Sequence, residues 1–183
     1  SKEEAKSFLT WLGVVGWAAG CTRPDLSFAY SRLSRVSSAP TRSGYNALLN
    51  VLRYVKGTLD YTISSPLYGV DRLPDEDKLY PHRNDQGWYN FCDSSWGDSK
   101  LPQLERKSQQ GILVLRNGTC AVQWASKVQS SGYAHVKLSE GHTARSSAEA
   151  ELFALASMTD VLLHLSYITE ELGQKSIPLP MVA

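Results

Sequence analysis

The sequence predicts an α/β protein of the α+β kind, in which a mixed sheet built round an antiparallel meander carries a packed helix and follows a small helical segment. Three observations predict it. Residues 1–58 contain successive stretches with apolar residues at helical spacing. Residues 88–126 contain short alternating or continuously apolar runs parted by turn formers. A long apolar stretch from Ser147 to about Leu172 has start and stop residues of a helix at its ends. The chain has 183 residues, 42% apolar and 20% charged, ordinary globular values that exclude disorder throughout and suit one domain with an accessory segment.

The first element is Phe8 to Cys21, FLTWLGVVGWAAGC, apolar nearly all round and broken by Gly13, Gly16 and Gly20. Its length falls short of the roughly 18 residues a membrane span needs, so it reads as a buried helix, and no membrane span is expected. Gly16 and Gly20 would permit close helix contact. Pro24 and Asp25 open a second helix with Leu26, Ala29, Tyr30 and Leu33 on one face. A third begins near Thr41, places Tyr45, Leu48, Leu49 and Leu52 at the same spacing and stops at Gly57. Tyr61 to Ser64 could form a short strand. Gly69 to Gly87 is rich in charge and turn formers and reads as a linker, with a brief strand possible at Lys78 to Tyr80. The predicted boundaries are a helical segment at 1–68, a linker at 69–87 and a sheet-bearing domain at 88–183.

In WYNFCDSSWGD, Trp88 to Asp98, side chains alternate with the two-residue period of a strand, and that strand ends on a carboxylate. Asp93 then stands where the chain turns, a position that suits either a metal ligand or a turn former. GILVL and CAVQWAS, parted by RNGT, form a hairpin that completes the meander. Val128 to Thr143 is a long loop or holds a short strand around His135 to Leu138. Ser146 and Glu149 form a capping box for the long helix, any break in which would fall near Thr159 and Asp160, and Gly173 ends it. Glu151 lies beside the apolar stripe formed by Leu152, Leu155 and Ala156, as a solvated flank residue or a second ligand.

Cys21, Cys92 and Cys120 are odd in number and lack any CxxC, which argues against a disulfide framework or zinc site and for a reducing, intracellular setting such as cytoplasm or nucleus. The histidines lack ligand spacing with them. No nucleophile elbow, phosphate-cradling glycine loop or internal repeat is present. Net charge is +1, but residues 1–60 carry eight basic against four acidic residues while the rest carry eleven against fourteen. The basic part suits either a phosphate-facing surface or solvated helix faces.

The order FCDSSWGD, ERKSQQG leading to GILVLRNG, CAVQWASK and SSAEAELFALAS resembles the RNase H domain of copia-type (Ty1/copia) retrotransposon polyproteins. CTRPDLSFAYSRLSR and NVLRYVKGTLDY are similar to the stretch that joins reverse transcriptase to RNase H in that family. The resemblance covers nearly the whole chain. It implies an RNase H-like fold and hydrolysis of the RNA strand of an RNA/DNA hybrid. Asp93 and Glu151 would be the catalytic, metal-binding acids, with Glu149 a neighbouring non-ligand. Mg²⁺, or Mn²⁺, would be the cofactor, two ions roughly 4 Å apart holding the scissile phosphate.

Arg32, Arg35, Arg42, Arg53 and Lys56, with Lys107 and Ser108, would contact nucleic acid. The implied partners are the hybrid, the reverse transcriptase portion of the same polyprotein and other subunits of a larger complex. A third acid belongs at the end of the strand after the long helix, and IPLPMVA looks like the approach to it. The chain is therefore expected to be C-terminally incomplete and inert alone. The alternative is a non-catalytic, retroelement-derived structural or binding module.

Overall fold

The structure is a computed structural model that describes residues 2–63, 88–97, 107–116, 120–129 and 144–173. The chain divides into two compact units, Ser1–Ile63 with Trp124–Ser126, and Ser64–Gln123 with Lys127–Ala183. The strand considered at Tyr61 to Ser64 does not form over residues 61–63. Those considered at Lys78 to Tyr80 and at His135 to Leu138 lie outside the described residues.

In the first unit, helix α1 runs Lys2–Cys21, a 3-10 turn Pro24–Leu26 leads into α2, Ser27–Ser34, and α3 runs Arg42–Gly57. Phe8, Leu12, Val15 and Ala19 are buried along α1 at steps of four, three and four, which is one helical stripe. Phe8, Leu12 and Val15 join Leu33 and Leu48 in a core edged by Val36, Tyr45, Val51 and Leu52. The opposite face of α1 exposes Leu9, Trp11, Val14 and Trp17. The expected all-round burial of this helix is thus corrected: the core covers one side of it. Gly16 does allow close approach, since a Cβ there would stand 2.5 Å from Cε2 of Tyr30, whereas Gly20 has no neighbour within 4 Å.

Helix α3 begins as its composition dictates, with the Thr41 hydroxyl accepting from the Gly44 amide at 3.0 Å. Its far end is tied to the α1–α2 junction by Arg23, which is only 8% exposed. The guanidinium donates to Asp25 through Nε (3.0 Å) and Nη2 (2.7 Å), and to the carbonyl (3.0 Å) and hydroxyl (2.7 Å) of Thr58. Tyr54 donates to Asp25 at 3.0 Å, and the rings of Tyr54 and Tyr61 lie 5.7 and 5.5 Å from the guanidinium carbon. A buried cation has each neighbour it needs.

Strands β1 (Trp88–Ser95), β2 (Gln109–Arg116) and β3 (Cys120–Val128) form an antiparallel sheet in the order β1-β2-β3, all of it in the second unit except Trp124–Ser126 of β3. Pairing sets Asp93 opposite Gly111, Cys92 opposite Ile112 and Ser94 opposite Gln110. Helix α4, Ser147–Glu171, packs on β1 and β2. Its buried residues Ala150, Ala154, Met158 and Leu162 fall four apart, and the small alanines let the helix sit close to the strands. By length and composition α4 could also cross a membrane, the sole such helix among the described residues, but this stripe is spent on the sheet.

The Ser146 half of the capping box forms, with Ser146 Oγ accepting from the Glu149 amide at 3.1 Å, while the Glu149 carboxylate reaches one residue further back and accepts from the Arg145 amide at 2.5 Å. The helix then continues through Thr159 and Asp160 and stops before Gly173, which takes φ 69°. Strand β1 is the outer strand of those described.

Candidate functional site

Alternation along β1 decides which way each side chain leaves the strand. Asn90, Cys92 and Ser94 share a face with their partners Val114, Ile112 and Gln110. Helix α4 lies on that face, because Gln110 Nε2 donates to Ser157 Oγ at 3.0 Å. Phe91, Asp93 and Ser95 leave the strand on the other side, and all are exposed. The Asp93 carboxylate accepts from the Ser94 amide at 2.8 Å, which aims it along the end of the strand. Glu151, the fifth residue of α4, is exposed beside the buried stripe.

One group reports on both acids. The Cys92 thiol is pushed above its ordinary value, first by burial and then by the negative charges of Glu151 and Asp93. Two carboxylates from different elements therefore act on a single half-buried side chain. Asp93 leaves β1 on the face away from α4, whereas Glu151 stands on α4 itself. Glu149 is not part of this field, since its carboxylate is held by the Arg145 amide as a cap.

The donor set is hard oxygen of concentrated negative charge, which fits Mg²⁺ or Mn²⁺ in a site that takes one or two carboxylates and completes its shell with water and substrate phosphate. No group of three or more His, Cys, Asp or Glu that could hold a metal occurs among the described residues. Asp93 and Glu151 would therefore hold an ion only in part.

The basic residues separate into kinds. Arg42, Arg53 and Lys56 are exposed on α3 and, at about 100° per residue, fall within roughly 60° of one another. Arg42 is paired with Glu4 at 2.7 Å, and Arg53 donates to Asn50 at 2.8 Å. Arg32 and Arg35 are half-buried, with the Arg32 guanidinium 6.0 Å above the Phe28 ring. Lys107 is half-buried ahead of β2. Ser108 is 1% exposed, its hydroxyl accepting from the Gly97 amide at 3.3 Å and its carbonyl from the Gln129 amide at 2.8 Å. That side chain holds the strand ends together and does not face solvent.

Sequence reasoning passed over the Arg23 clamp and a buried polar layer. Gln109, Gln110 and Gln129 are each at most 8% exposed, and Gln129 Nε2 donates to the Ala150 carbonyl at 2.7 Å. The signal for the clamp was present: Arg23, Pro24 and Asp25 set opposite charges between two apolar helices. Cys92 was legible only as a strand residue, since its two acidic neighbours come together through the packing of α4 on β1.

No protein-family model matches the chain, and no solved structure matches it. Over 153 residues, 83% of its length, it is 31% identical to the retrovirus-related Pol polyprotein from transposon RE2 of Arabidopsis thaliana, of which it spans 8%. It is 29% identical over 88% of its length to secreted RxLR effector protein 161 of Plasmopara viticola, covering 93% of that protein. These relations define a retroelement-derived protein, corresponding to a region of a retrotransposon polyprotein. The chain is also 55% identical over 94 residues to the uncharacterized mitochondrial protein AtMg00240 of Arabidopsis thaliana, which is 51% of this chain and 68% of that protein. It belongs to the same family as that protein.

Proposed function

We propose that the chain is the RNase H portion of a copia-type retroelement polyprotein with its connecting helices, and that Asp93 and Glu151 serve hydrolysis of the RNA strand of an RNA/DNA hybrid. The observation that carries this reading is the pair of acids, Asp93 near the end of β1 and Glu151 at the start of α4, the helix that packs on β1. Hard carboxylates concentrated at a strand end are what a Mg²⁺-dependent phosphodiester hydrolase requires.

Mg²⁺ or Mn²⁺ bound there would neutralise phosphate charge and lower the pKa of a bound water. The chain's own residues supply the carboxylates and their placement. Asp93 is oriented by the Ser94 amide, and Glu151 by the rigid first turns of a capped helix. Arg42, Arg53 and Lys56 offer a line of positive charge on α3 for a nucleic-acid backbone, with Arg32, Arg35 and Lys107 as further contacts. The partners are the hybrid, the reverse transcriptase portion of the polyprotein and other subunits of its assembly. Three free thiols suit a reducing intracellular compartment, cytoplasm, nucleus or organelle.

A second reading is a non-catalytic module, and two observations favour it. No third acid joins the pair among the described residues, and a relative of nearly the same extent stands as a protein of its own. Cleavage of a labelled hybrid in Mg²⁺ decides between them. The 183-residue chain alone is expected to be inactive. Within its longer polyprotein it should cleave the RNA strand, and Asp93→Asn or Glu151→Gln should each lower the rate by about a hundredfold or more with the fold intact. A folded but inactive polyprotein, or cleavage indifferent to both substitutions, makes the module reading the correct one.

A further inference from the structure

Helix α4 has a second apolar face that the sheet does not use. At about 100° per residue, Leu152, Ala156, Leu163 and Tyr167 fall within roughly 60° of one another, on the side of the helix opposite its buried stripe. Leu152 and Tyr167 are each 62% exposed and Leu163 is 37% exposed. Of the most apolar stretch of the helix only 22% is buried. Between Ser147 and Glu171 the helix carries five acids and no Lys or Arg. Asp160 and Glu171 border the apolar face on one side, and Glu170 closes its C-terminal end. Glu170 and Glu171 stand where the helix dipole is already negative, an unfavourable place for a carboxylate until a cation meets it.

We infer that this face seats an amphipathic helix of another polypeptide, one whose apolar stripe has the same period and is flanked by Lys or Arg that meet Asp160, Glu170 and Glu171. An antiparallel seating adds the partner's positive N-terminal end to the cations beside Glu170 and Glu171. The exposed acids decide against the other occupants. A second copy would set acids beside acids in either orientation, because α4 is acidic at both ends, and like charges repel across an interface. A bilayer would take Asp160, in the middle of the helix, into hydrocarbon. An anionic membrane surface is excluded too, since α4 lacks the Lys and Arg that hold an amphipathic helix there. Glu151 lies about 100° round the helix from Leu152, on the flank away from Asp160, so the docking face stands whether or not the nuclease reading does.

Titration of the 183-residue chain into a fluorescent peptide of about three heptads, with Leu at the a and d positions and Lys at e and g, tests this by anisotropy. The Lys peptide should bind, and a peptide with Glu at e and g should bind at least about tenfold more weakly. Leu163→Ser and Tyr167→Ser, which leave the buried stripe intact, should each weaken the Lys peptide by about fivefold or more. Asp160→Lys together with Glu171→Lys should reverse the preference in favour of the Glu peptide, a gain that a misfolded chain cannot give. Trp17→Ser, which removes a comparably exposed ring on α1, should leave binding unchanged, and a loss there as large as at Tyr167 would overturn the assignment to α4. The proposal also fails if the Lys peptide does not bind, if the two peptides bind alike, or if the Leu163 and Tyr167 variants, folded by circular dichroism, bind as the parent does. A dimer of the chain alone in sedimentation, abolished by Leu163→Ser, would give the face to a second copy instead. Co-sedimentation with neutral phosphatidylcholine vesicles, lost in the same variant, would give it to a lipid surface.

Discussion

The helical unit and the sheet unit bury polarity in opposite ways. Between the helices the buried polar group is a full charge, Arg23, closed by Asp25, Thr58 and two tyrosine rings. Between sheet and helix it is neutral, a layer of Ser108, Gln110 and Gln129 held by amide and hydroxyl bonds. The sheet unit keeps Asp93 and Glu151 exposed. The difference teaches where each unit is vulnerable. A charged clamp fails as a whole when one partner is lost, whereas an amide layer loses one bond at a time and ignores acid. It also means that the acids proposed for chemistry contribute little to holding the sheet together.

The comparison breaks most visibly at Asp25. Its carboxyl is held below the usual carboxylate range, chiefly by the Arg23 guanidinium and also by the Tyr54 hydroxyl. Asp25→Asn leaves the buried guanidinium short of its counter-charge and should cost about 3 kcal/mol at neutral pH. A depressed folded pKa contributes stability that is complete above the unfolded value of about 3.9 and drains away as pH falls below it. The gap between parent and variant in urea unfolding should therefore be widest at pH 7 and close towards about pH 2. A gap that does not narrow in acid would mean that the clamp acts through packing and not through charge.

At Gln110 the same measurement should behave otherwise. Gln110→Ala leaves the Ser157 hydroxyl without its donor and opens a void at a residue only 3% exposed, for a loss of about 2 kcal/mol. No ionisable group takes part in that bond, so the loss should be equal at pH 7 and in mild acid. Urea titrations of the two variants side by side would separate the units by their pH response alone.

How much of this was legible in the sequence follows from which interactions are local. The start of α3 at Thr41, the capping box at Ser146 and Glu149, and the end of α4 before Gly173 are set by residues within one turn, and sequence reading placed them. The antiparallel strand pattern was equally readable, since alternation and turn formers lie within each hairpin. What escaped depends on partners far along the chain. Composition makes α1 apolar on every side, yet a single core decides which side is covered and leaves Trp11 and Trp17 out. Arg23 reaches Thr58, 35 residues on, and Ser108 is buried by neighbours at Gly97 and Gln129. Of the candidate site, the residue types of Asp93 and Glu151 were readable, but the packing of α4 on β1 and β2, which sets where Glu151 stands, was not.

A smaller effect probes close packing inside the helical unit. Gly16→Ala places a methyl group against the Tyr30 ring, and the ring must shift to admit it. The expected cost is about 1 kcal/mol or somewhat more. In a Tyr30→Ala background the same change should become favourable, because alanine is the better helix former by about 1 kcal/mol. A double-mutant cycle by thermal unfolding gives the sign, and an unchanged cost in both backgrounds would show that the glycine serves something other than this contact.

The smallest effect is expected at the Glu4–Arg42 pair, which is well formed at 2.7 Å but lies where both side chains are largely exposed, 49% and 74%. Water and salt screen such a pair, and holding two long side chains together costs the entropy that the attraction returns. Arg42→Ala and Glu4→Gln should therefore leave the unfolding midpoint unchanged within error. Their effect on nucleic acid should nevertheless differ in sign. Removing Arg42 takes one cation from the line it forms with Arg53 and Lys56 and should flatten the salt dependence of hybrid binding by about 0.9. Glu4→Gln instead releases Arg42 from its acidic partner, so binding at low salt should tighten slightly. Equal responses to the two substitutions would remove α3 from the proposed nucleic-acid surface and leave its basic residues as solvated charge.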